Sequence, residues 1–258
     1  MARAFAIDRQ AILAENSLLK HLDSADRTRL AEYTQVVRYA IDTIIFQRGD
    51  PGDSMMAVVS GRVKICTHSL EGKELILNII KPGEVFGEIS LIDGEPRTAD
   101  AIALESCQLL VLERRDFQRH LDENPRMARR LLTILCQRLR RTSTHLEESL
   151  FLEVPARLAR VLLHLSHAYG IPAKAGVCID VKLSQQQLGS IAGITRESVN
   201  KQLGQWQKAG WITVRNGYVT VVEPDPLAQL SGLDDREPGR PRPAAASPSP
   251  SPRPPTGH

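Results

Sequence analysis

From Arg126 to Leu150 the chain reads RMARRLLTILCQRLRRTSTHLEESL, 25 residues without a glycine or a proline. Within it Ala128, Leu132, Leu135, Leu139, Thr142, Leu146 and Ser149 recur at alternating spacings of four and three. That period keeps one stripe of an α-helix facing a partner along its whole length. The stretch therefore predicts one long helix beginning at Pro125, and it divides the chain into a part before and a part after. A helix packed on its own domain could carry a short version of this stripe. Here the helix stands between two regions of different texture and has polar Thr142 in its seam, so the reading is a parallel homodimer in which a polar seam residue fixes register.

Before the helix, from about Thr43 to Leu112, the pattern is short and strand-like. MMAVVSGRVKICTH, ELILNII and CQLLVLE are separated by the turn-rich pieces RGDPGDS, LEGKE and KPGE. Many short strands joined by glycine-containing turns predict a small β-barrel or β-roll. After the helix, VPARLARVLLHLSHAYG predicts a further amphipathic helix ending at Gly170, and a compact helical and hairpin segment runs from Val181 to about Val222. The last stretch, EPGRPRPAAASPSPSPRPPTGH, has almost nothing to bury and is expected to be disordered.

With 258 residues and 42% hydrophobic content the chain can hold two small domains with real cores. Its N-terminus, MARAFAIDRQ, lacks the basic start and apolar run of a signal peptide, and no apolar run approaches the length of a membrane span. A cytoplasmic protein with no membrane partner is the expectation. Cys66, Cys107, Cys136 and Cys178 lie far apart, so neither a disulfide framework nor a zinc or iron–sulfur motif is expected, and the thiols read as buried or idle. His164 and His167 form an HxxH on one helix face, but no third ligand or catalytic acid stands nearby in sequence. They read as surface or packing residues, and no catalytic residue and no metal are expected.

The window from Lys182 to Tyr218 holds five basic residues, Lys182, Arg196, Lys201, Lys208 and Arg215, against one acid, Glu197, so this window carries +4 where the whole chain carries +3. Charge alone could be a solvated helix face; the local pattern decides. Ser184 and Gln187 have capping-box spacing, Gly193 breaks the helix they start, and Thr195 can cap a second. In that second helix Val199, Leu203 and Trp206 point inward, leaving Arg196, Glu197, Asn200 and Lys201 on the other face. Gly210 closes it, and WITVRNGYVTVV places an Asn-Gly hairpin behind it, with Arg215 at the tip. A helix-turn-helix with a wing needs this arrangement to put side chains into a major groove. Arg196 can pair with guanine, Glu197 can accept from the cytosine amino group, and Lys201 can reach a guanine or a phosphate.

In the roll, FGEISLIDGEPRTADAIA combines Gly87 and Glu88 with Arg97 and Thr98. A small anion such as a cyclic phosphate needs a guanidinium fork, a hydroxyl and free backbone N–H groups. Arg97, Thr98 and the backbone after Gly87 supply that set, and Glu88 can accept from a sugar hydroxyl.

The order FGE, PRTA, long helix and winged helix-turn-helix resembles the cyclic-nucleotide-responsive transcription factors of the CRP/FNR family over roughly residues 15 to 222. The resemblance implies an α+β chain: a cyclic-nucleotide-binding β-roll at 1–124, a dimerisation helix at 125–151, a winged helix-turn-helix at 152–224 and a Pro/Ser/Ala-rich tail at 225–258. It implies a homodimer that binds a palindromic operator in double-stranded DNA, with cAMP or cGMP as allosteric effector and RNA polymerase as a further partner through the HAYGIPAKAGV loop. Carried over, Glu88 takes the ribose hydroxyl, Arg97 and Thr98 the cyclic phosphate, and Gly87 and Ile89 give backbone contacts. Thr142 and Ser143 match the pair that contacts the purine, Ser143 from the partner chain. Thr195, Arg196, Glu197, Asn200, Lys201 and Arg215 form the DNA-reading set, although the best-known member carries Arg where this chain has Lys201. The family's oxygen-sensing branch has an N-terminal cysteine cluster, and the first cysteine here is Cys66, so an iron–sulfur sensor is not expected. Glu153 and Val154, before Pro155, are the expected hinge. A regulator controlled by another ligand, or binding DNA constitutively, is the alternative.

Overall fold

The computed structural model describes residues 28, 31–123 and 125–232. The tail from 233 on, where disorder is expected, and most of the first 30 residues lie outside the described residues. The apolar runs MMAVV and LLVL become the two central strands of the first sheet, β3 (Ser54–Ser60) and β8 (Cys107–Glu113). They are apolar at nearly every position because both faces of the sheet are covered. Met56, Val58 and Leu109 pack inside the roll with Val63, Phe86 and Ala101, whereas Met55, Ala57, Leu110 and Leu112 pack outward against helices.

The first sheet has the order β1–β8–β3–β6, with β1 at Gln35–Tyr39 and β6 at Val85–Phe86. The second runs β2–β7–β4–β5, with β2 at Ile44–Phe46, β4 at Val63–His68, β5 at Glu74–Ile80 and β7 at Asp100–Ala103. All pairings are antiparallel, as the expected roll requires. The roll begins earlier than the sequence pattern implies: β1 precedes Thr43 because QVVRY shows no clean alternation of buried and exposed positions. A short helix, α1 (Glu88–Asp93), follows β6, and α2 (Arg114–Glu123) follows β8.

The long helix α3 spans Pro125–Phe151, the predicted bounds. Its first half has two faces. Leu131 and Ile134 are buried against the roll, with Leu135 partly so. The seam leucines Leu132, Leu139 and Leu146 are 60%, 67% and 61% exposed on the single chain. The helix breaks before Val154, where α4 (Val154–Tyr169) starts with Glu153 as an extended N-cap and Pro155 in its first turn. Pro155 costs no hydrogen bond there, because first-turn N–H groups have no helical acceptor.

The remaining elements form one small domain. Helices α5 (Gln185–Ala192) and α6 (Arg196–Lys208) flank Gly193, which sits at φ 63°. The wing is β11 (Ile212–Arg215) and β12 (Tyr218–Val221) around Asn216 and Gly217, both at positive φ, the type I′ hairpin geometry. Two findings depart from the sequence reading. The supposed loop HAYGIPAKAGV contains β9 (Gly170–Pro172) and ends in the first residue of β10 (Val177–Ile179), and the two strands complete a β11–β12–β10–β9 sheet. The supposed tail begins with a helix, α7 (Pro224–Leu230), because Leu227 is fully buried in the domain core and anchors it. The described residues of this domain thus run past the expected boundary at 224, through α7 to Gly232.

Two glycines of the paired helices should respond oppositely to alanine. A Cβ at Gly189 would lie 2.7 Å from the Ile194 carbonyl, where α5 turns into α6, whereas nothing stands within 4 Å of one at Gly204. Gly189→Ala should cost about 1–3 kcal/mol by overpacking. Gly204→Ala, in the middle of α6, should gain about 0.5–1 kcal/mol. Urea unfolding of the two variants reads both signs.

Candidate functional site

Two sites take shape, one in the roll and one on the terminal domain. In the roll the backbone of Arg97 is pinned to the turn before β3: Arg97 N donates to Asp50 O and Gly49 N to Arg97 O, each at 2.9 Å. The side chain is buried, 4% exposed, and its guanidinium lies 4.2 Å from the centroid of the Phe46 ring. Nη1 donates to Gly87 O at 2.8 Å and Nη2 to Ser54 O at 2.7 Å. Burial lowers the pKa of Arg97, with the Arg114 cation adding to it, while Asp53, Asp50 and Glu88 work the other way. A guanidinium so perturbed remains a cation at neutral pH.

Gly87 has φ 79°, and a Cβ there would stand 2.7 Å from Arg97 Nη1. Backbone conformation and the close cation both demand glycine. The next residue, Glu88, is fully buried at the start of α1 and forms an ion pair with Arg138 of α3. Arg138 also donates to Val85 O. Two buried polar atoms at this junction, Arg97 Nε and Glu88 Oε2, have no hydrogen-bond partner. Orphaned polar atoms at such depth are costly in a protein interior. A cation and a carboxylate with one unused atom each suit a ligand offering both an anion and a hydroxyl, so the residues fit a cyclic nucleotide.

The other sequence-selected residues of this set are less enclosed. Thr98 is exposed, and Ile89 is 37% exposed. Thr142 and Ser143 are exposed on α3, their hydroxyls donating to Arg138 O and Leu139 O at 3.0 Å, the ordinary back-bond of such residues in a helix. The chain thus brings Gly87, Glu88 and Arg97 together, and places Thr142 one turn beyond Arg138. Sequence reasoning missed Phe46, Ser54 and Arg138. Of these only Arg138 left a signal, as an arginine four residues before seam Thr142 and off the seam itself.

On the terminal domain the expected caps are present. Ser184 accepts from Gln187 N at 3.1 Å while Gln187 reaches back to Ser184 N, and Thr195 Oγ1 accepts from Ser198 N at 3.2 Å. Val199, Leu203 and Trp206 are buried, 0%, 2% and 4% exposed. Arg196, Glu197, Asn200 and Lys201 are all exposed along one side of α6, with Arg215 exposed on the wing. Asn200 is not wholly free: its Oδ1 accepts from Gln185 Nε2 at 3.1 Å, which ties the start of α5 to α6.

The HxxH pair His164 and His167 lines, with Arg141 and His145, a cleft of about 500 Å³ between β5, α3 and α4. Burial and the Arg141 cation hold His164 below its ordinary pKa. Among the described residues no helix is long and apolar enough to cross a membrane.

Comparison with known proteins identifies both domains. Residues 36–124 match the model of the cyclic nucleotide-binding domain, and residues 156–230 that of the Crp-like helix-turn-helix domain. The chain is 30% identical over 218 residues to the CRP-like cAMP-activated global transcriptional regulator of Mycobacterium tuberculosis, covering 84% of this chain and 97% of the relative. It is 30% identical over 217 residues to the global nitrogen regulator of Synechococcus elongatus, covering 83% and 97%. Among solved structures, the c-di-GMP responsive global regulator CLP of Xanthomonas campestris superposes with a TM-score of 0.69 at 26% identity, over 77% of this chain and 99% of that one. With an α+β roll, a long helix and a winged helix-turn-helix in that order, the chain belongs to the CRP/FNR family of DNA-binding transcriptional regulators.

Proposed function

We propose that this regulator is a cytoplasmic homodimer whose affinity for a palindromic operator is set by a cyclic mononucleotide, cAMP first and cGMP as the alternative. One observation carries the reading. Buried Arg97 and buried Glu88 meet at Gly87, each keeping one unpartnered polar atom, and Glu88 is held by a cation from the helix that would join the two subunits. Relatives at equal identity bear names with and without cAMP, so the effector is argued from these residues.

A bound cyclic nucleotide supplies one phosphate anion and a ribose hydroxyl. Arg97 and the Thr98 hydroxyl would hold the anion, the backbone at Gly87 and Ile89 would line it, and Glu88 would accept from the sugar. Because Arg138 shares Glu88, any change in what Glu88 holds alters the pull on α3. Thr142, and Ser143 of the partner chain, would close the site from the long helix. Such contacts exist in only one subunit geometry, so they shift the population toward it. The break at Glu153 and Val154 lets the terminal domains follow. Two copies of α6 would then address successive major grooves about 34 Å apart. Thr195 sets the start of that helix; Arg196, Glu197, Asn200 and Lys201 would face base edges, and Arg215 a phosphate. Bound at an operator, the dimer would engage RNA polymerase through the β9–β10 segment.

Three measurements test this. Calorimetry with cAMP, cGMP and c-di-GMP should show one mononucleotide binding, and Arg97→Ala should weaken it at least about a hundredfold while costing about 1–3 kcal/mol of stability, since two partly buried carbonyls lose their donor. Unchanged nucleotide affinity in that variant would remove the site. Leu139→Asp should convert a sedimenting dimer to monomer; a dimer that survives places the seam elsewhere. Arg196→Ala should cost about 1–3 kcal/mol against one base position in a mobility-shift series. A uniform loss on every probe would instead mark it as a phosphate contact.

A further inference from the structure

Away from both sites, three neighbouring strands of the second sheet bring metal-binding side chains to one place. Cys66 and His68 are two residues apart on β4, and the residues two apart on a strand share a face. Asp100 on β7 is the direct cross-strand partner of Cys66, and Glu74 on β5 is that of His68. A sulfur, a ring nitrogen and a carboxylate oxygen from Cys66, His68 and Asp100 all lie within 4.8 Å of one another. His68 stands between two carboxylates, its Nδ1 2.9 Å from Asp100 Oδ2 and its Nε2 4.0 Å from Glu74 Oε1.

We propose that Cys66, His68 and Asp100, completed by Glu74, form a binding site for a borderline divalent cation of the Zn²⁺ type. The donor set decides the class. Mg²⁺ and Ca²⁺ take oxygen ligands, whereas one thiolate, one imidazole and carboxylates suit tetrahedral Zn²⁺ or Co²⁺. The surroundings already aim one ligand: the Arg48 N–H donates to Asp100 Oδ1 at 2.7 Å, leaving Oδ2 turned to the cluster. Outer hydrogen bonds of this kind orient ligating carboxylates. Lys64 pairs with Glu74 through Oε1, the oxygen that also faces His68, so Glu74 would offer the metal Oε2.

Access is one-sided. Cys66 is fully buried at the floor, the Asp100 and Glu74 side chains are 15% and 16% exposed, and His68 is 42% exposed at the mouth. Loading is a substitution. The Cys66 S–H bond breaks and its proton leaves to solvent, the hydrated cation gives up water ligands, and metal bonds form from Cys66 Sγ, from one unprotonated His68 ring nitrogen and from Asp100 Oδ2 in place of the His68–Asp100 contact. Burial and the Glu74 carboxylate push the free thiol up to about 12. Without metal it is an inert S–H, unsuited to redox sensing. Bound metal would tie β4, β5 and β7 together. Cys66 and Ile76 belong to the packed cluster that also holds Leu158, Leu162 and Leu188, so the tie would stiffen the strands on which the terminal domain rests.

The test is a Co²⁺ titration of the reduced, untagged full chain. One equivalent should produce a near-ultraviolet thiolate-to-cobalt charge-transfer band with tetrahedral ligand-field bands, and Zn²⁺ should displace it. Cys136→Ser, on the exposed face of α3, should keep the band. Cys66→Ser should lose it, and His68→Ala should weaken Co²⁺ at least about tenfold. No thiolate band at saturating Co²⁺, or a band that survives Cys66→Ser, overturns the site. If Cys66→Ser does not fold, His68→Ala and Asp100→Asn at the accessible side carry the test, and unchanged affinity in both overturns it equally.

Discussion

A fully buried carboxylate, Glu88, is neutralised by a cation that belongs to another element, Arg138 of the long helix. Taking two charges out of water costs several kcal/mol each, and their attraction offsets this only with good geometry and further hydrogen bonds. Arg138 meets that condition by also capping the Val85 carbonyl, while Glu88 keeps Oε2 without a partner. Replacing such a pair by apolar residues often costs nothing in stability, so stability alone does not explain it. What the pair does fix is position: the start of α1, the end of β6 and one turn of α3 are held as a unit. Arg97 completes it from the other side through Gly87.

The two faces of α3 follow from that anchoring. With Arg138, Leu131 and Ile134 turned to the roll, helical geometry turns Leu132, Leu139 and Leu146 away from it. Three large side chains more than half exposed on a continuous stripe are unusual for a lone helix and suit a second copy of the same stripe. Thr142 lies in this stripe one turn past Arg138, with its hydroxyl on the Arg138 carbonyl. The seam and the buried ion pair therefore share a single turn of helix.

Whatever depends on local chemistry was legible in the sequence. The heptad located the long helix from Ala128 to Ser149, inside its span of Pro125–Phe151, and the caps at Ser184 and Thr195, the turn at Gly193 and the Asn216–Gly217 hairpin were legible too, because capping and positive-φ turns are properties of a few adjacent residues. Gly87, Glu88 and Arg97 were found through their residue types. Partners set by topology were not legible: Phe46 and Ser54 come to Arg97 only because β2 and β3 are folded against the PRT turn. The same holds for Cys66, His68, Glu74 and Asp100, whose convergence is a fact of strand register across three strands. Short β9 and β10 and the helix α7 carry too little periodicity to announce themselves, and Leu227 counts only once a core exists to receive it.

The long helix touches both halves of the chain through charge. At its middle Arg138 reaches into the roll; near its end Glu148 accepts from Arg160 of α4 at 2.9 Å. Arg160 in turn donates to Ser231 O at 3.2 Å, just beyond α7. The Glu148–Arg160 pair spans the helix break before Val154, so it ties the end of α3 to the first turns of α4. On its other side the domain is held by Tyr169, whose hydroxyl donates to Ile79 O at 2.7 Å, and by Lys81, which donates to Ala168 O at 3.0 Å. These polar contacts, each worth about 0.5–1.5 kcal/mol, border an apolar one, in which Cys66, Ile76 and Ile79 of the roll share a buried cluster with Leu158, Leu162 and Leu188. Coupling between distant sites typically amounts to about 1–3 kcal/mol. Polar contacts of that size lie within reach of what one ligand can exchange, whereas the packed clusters inside the roll and among the paired helices do not.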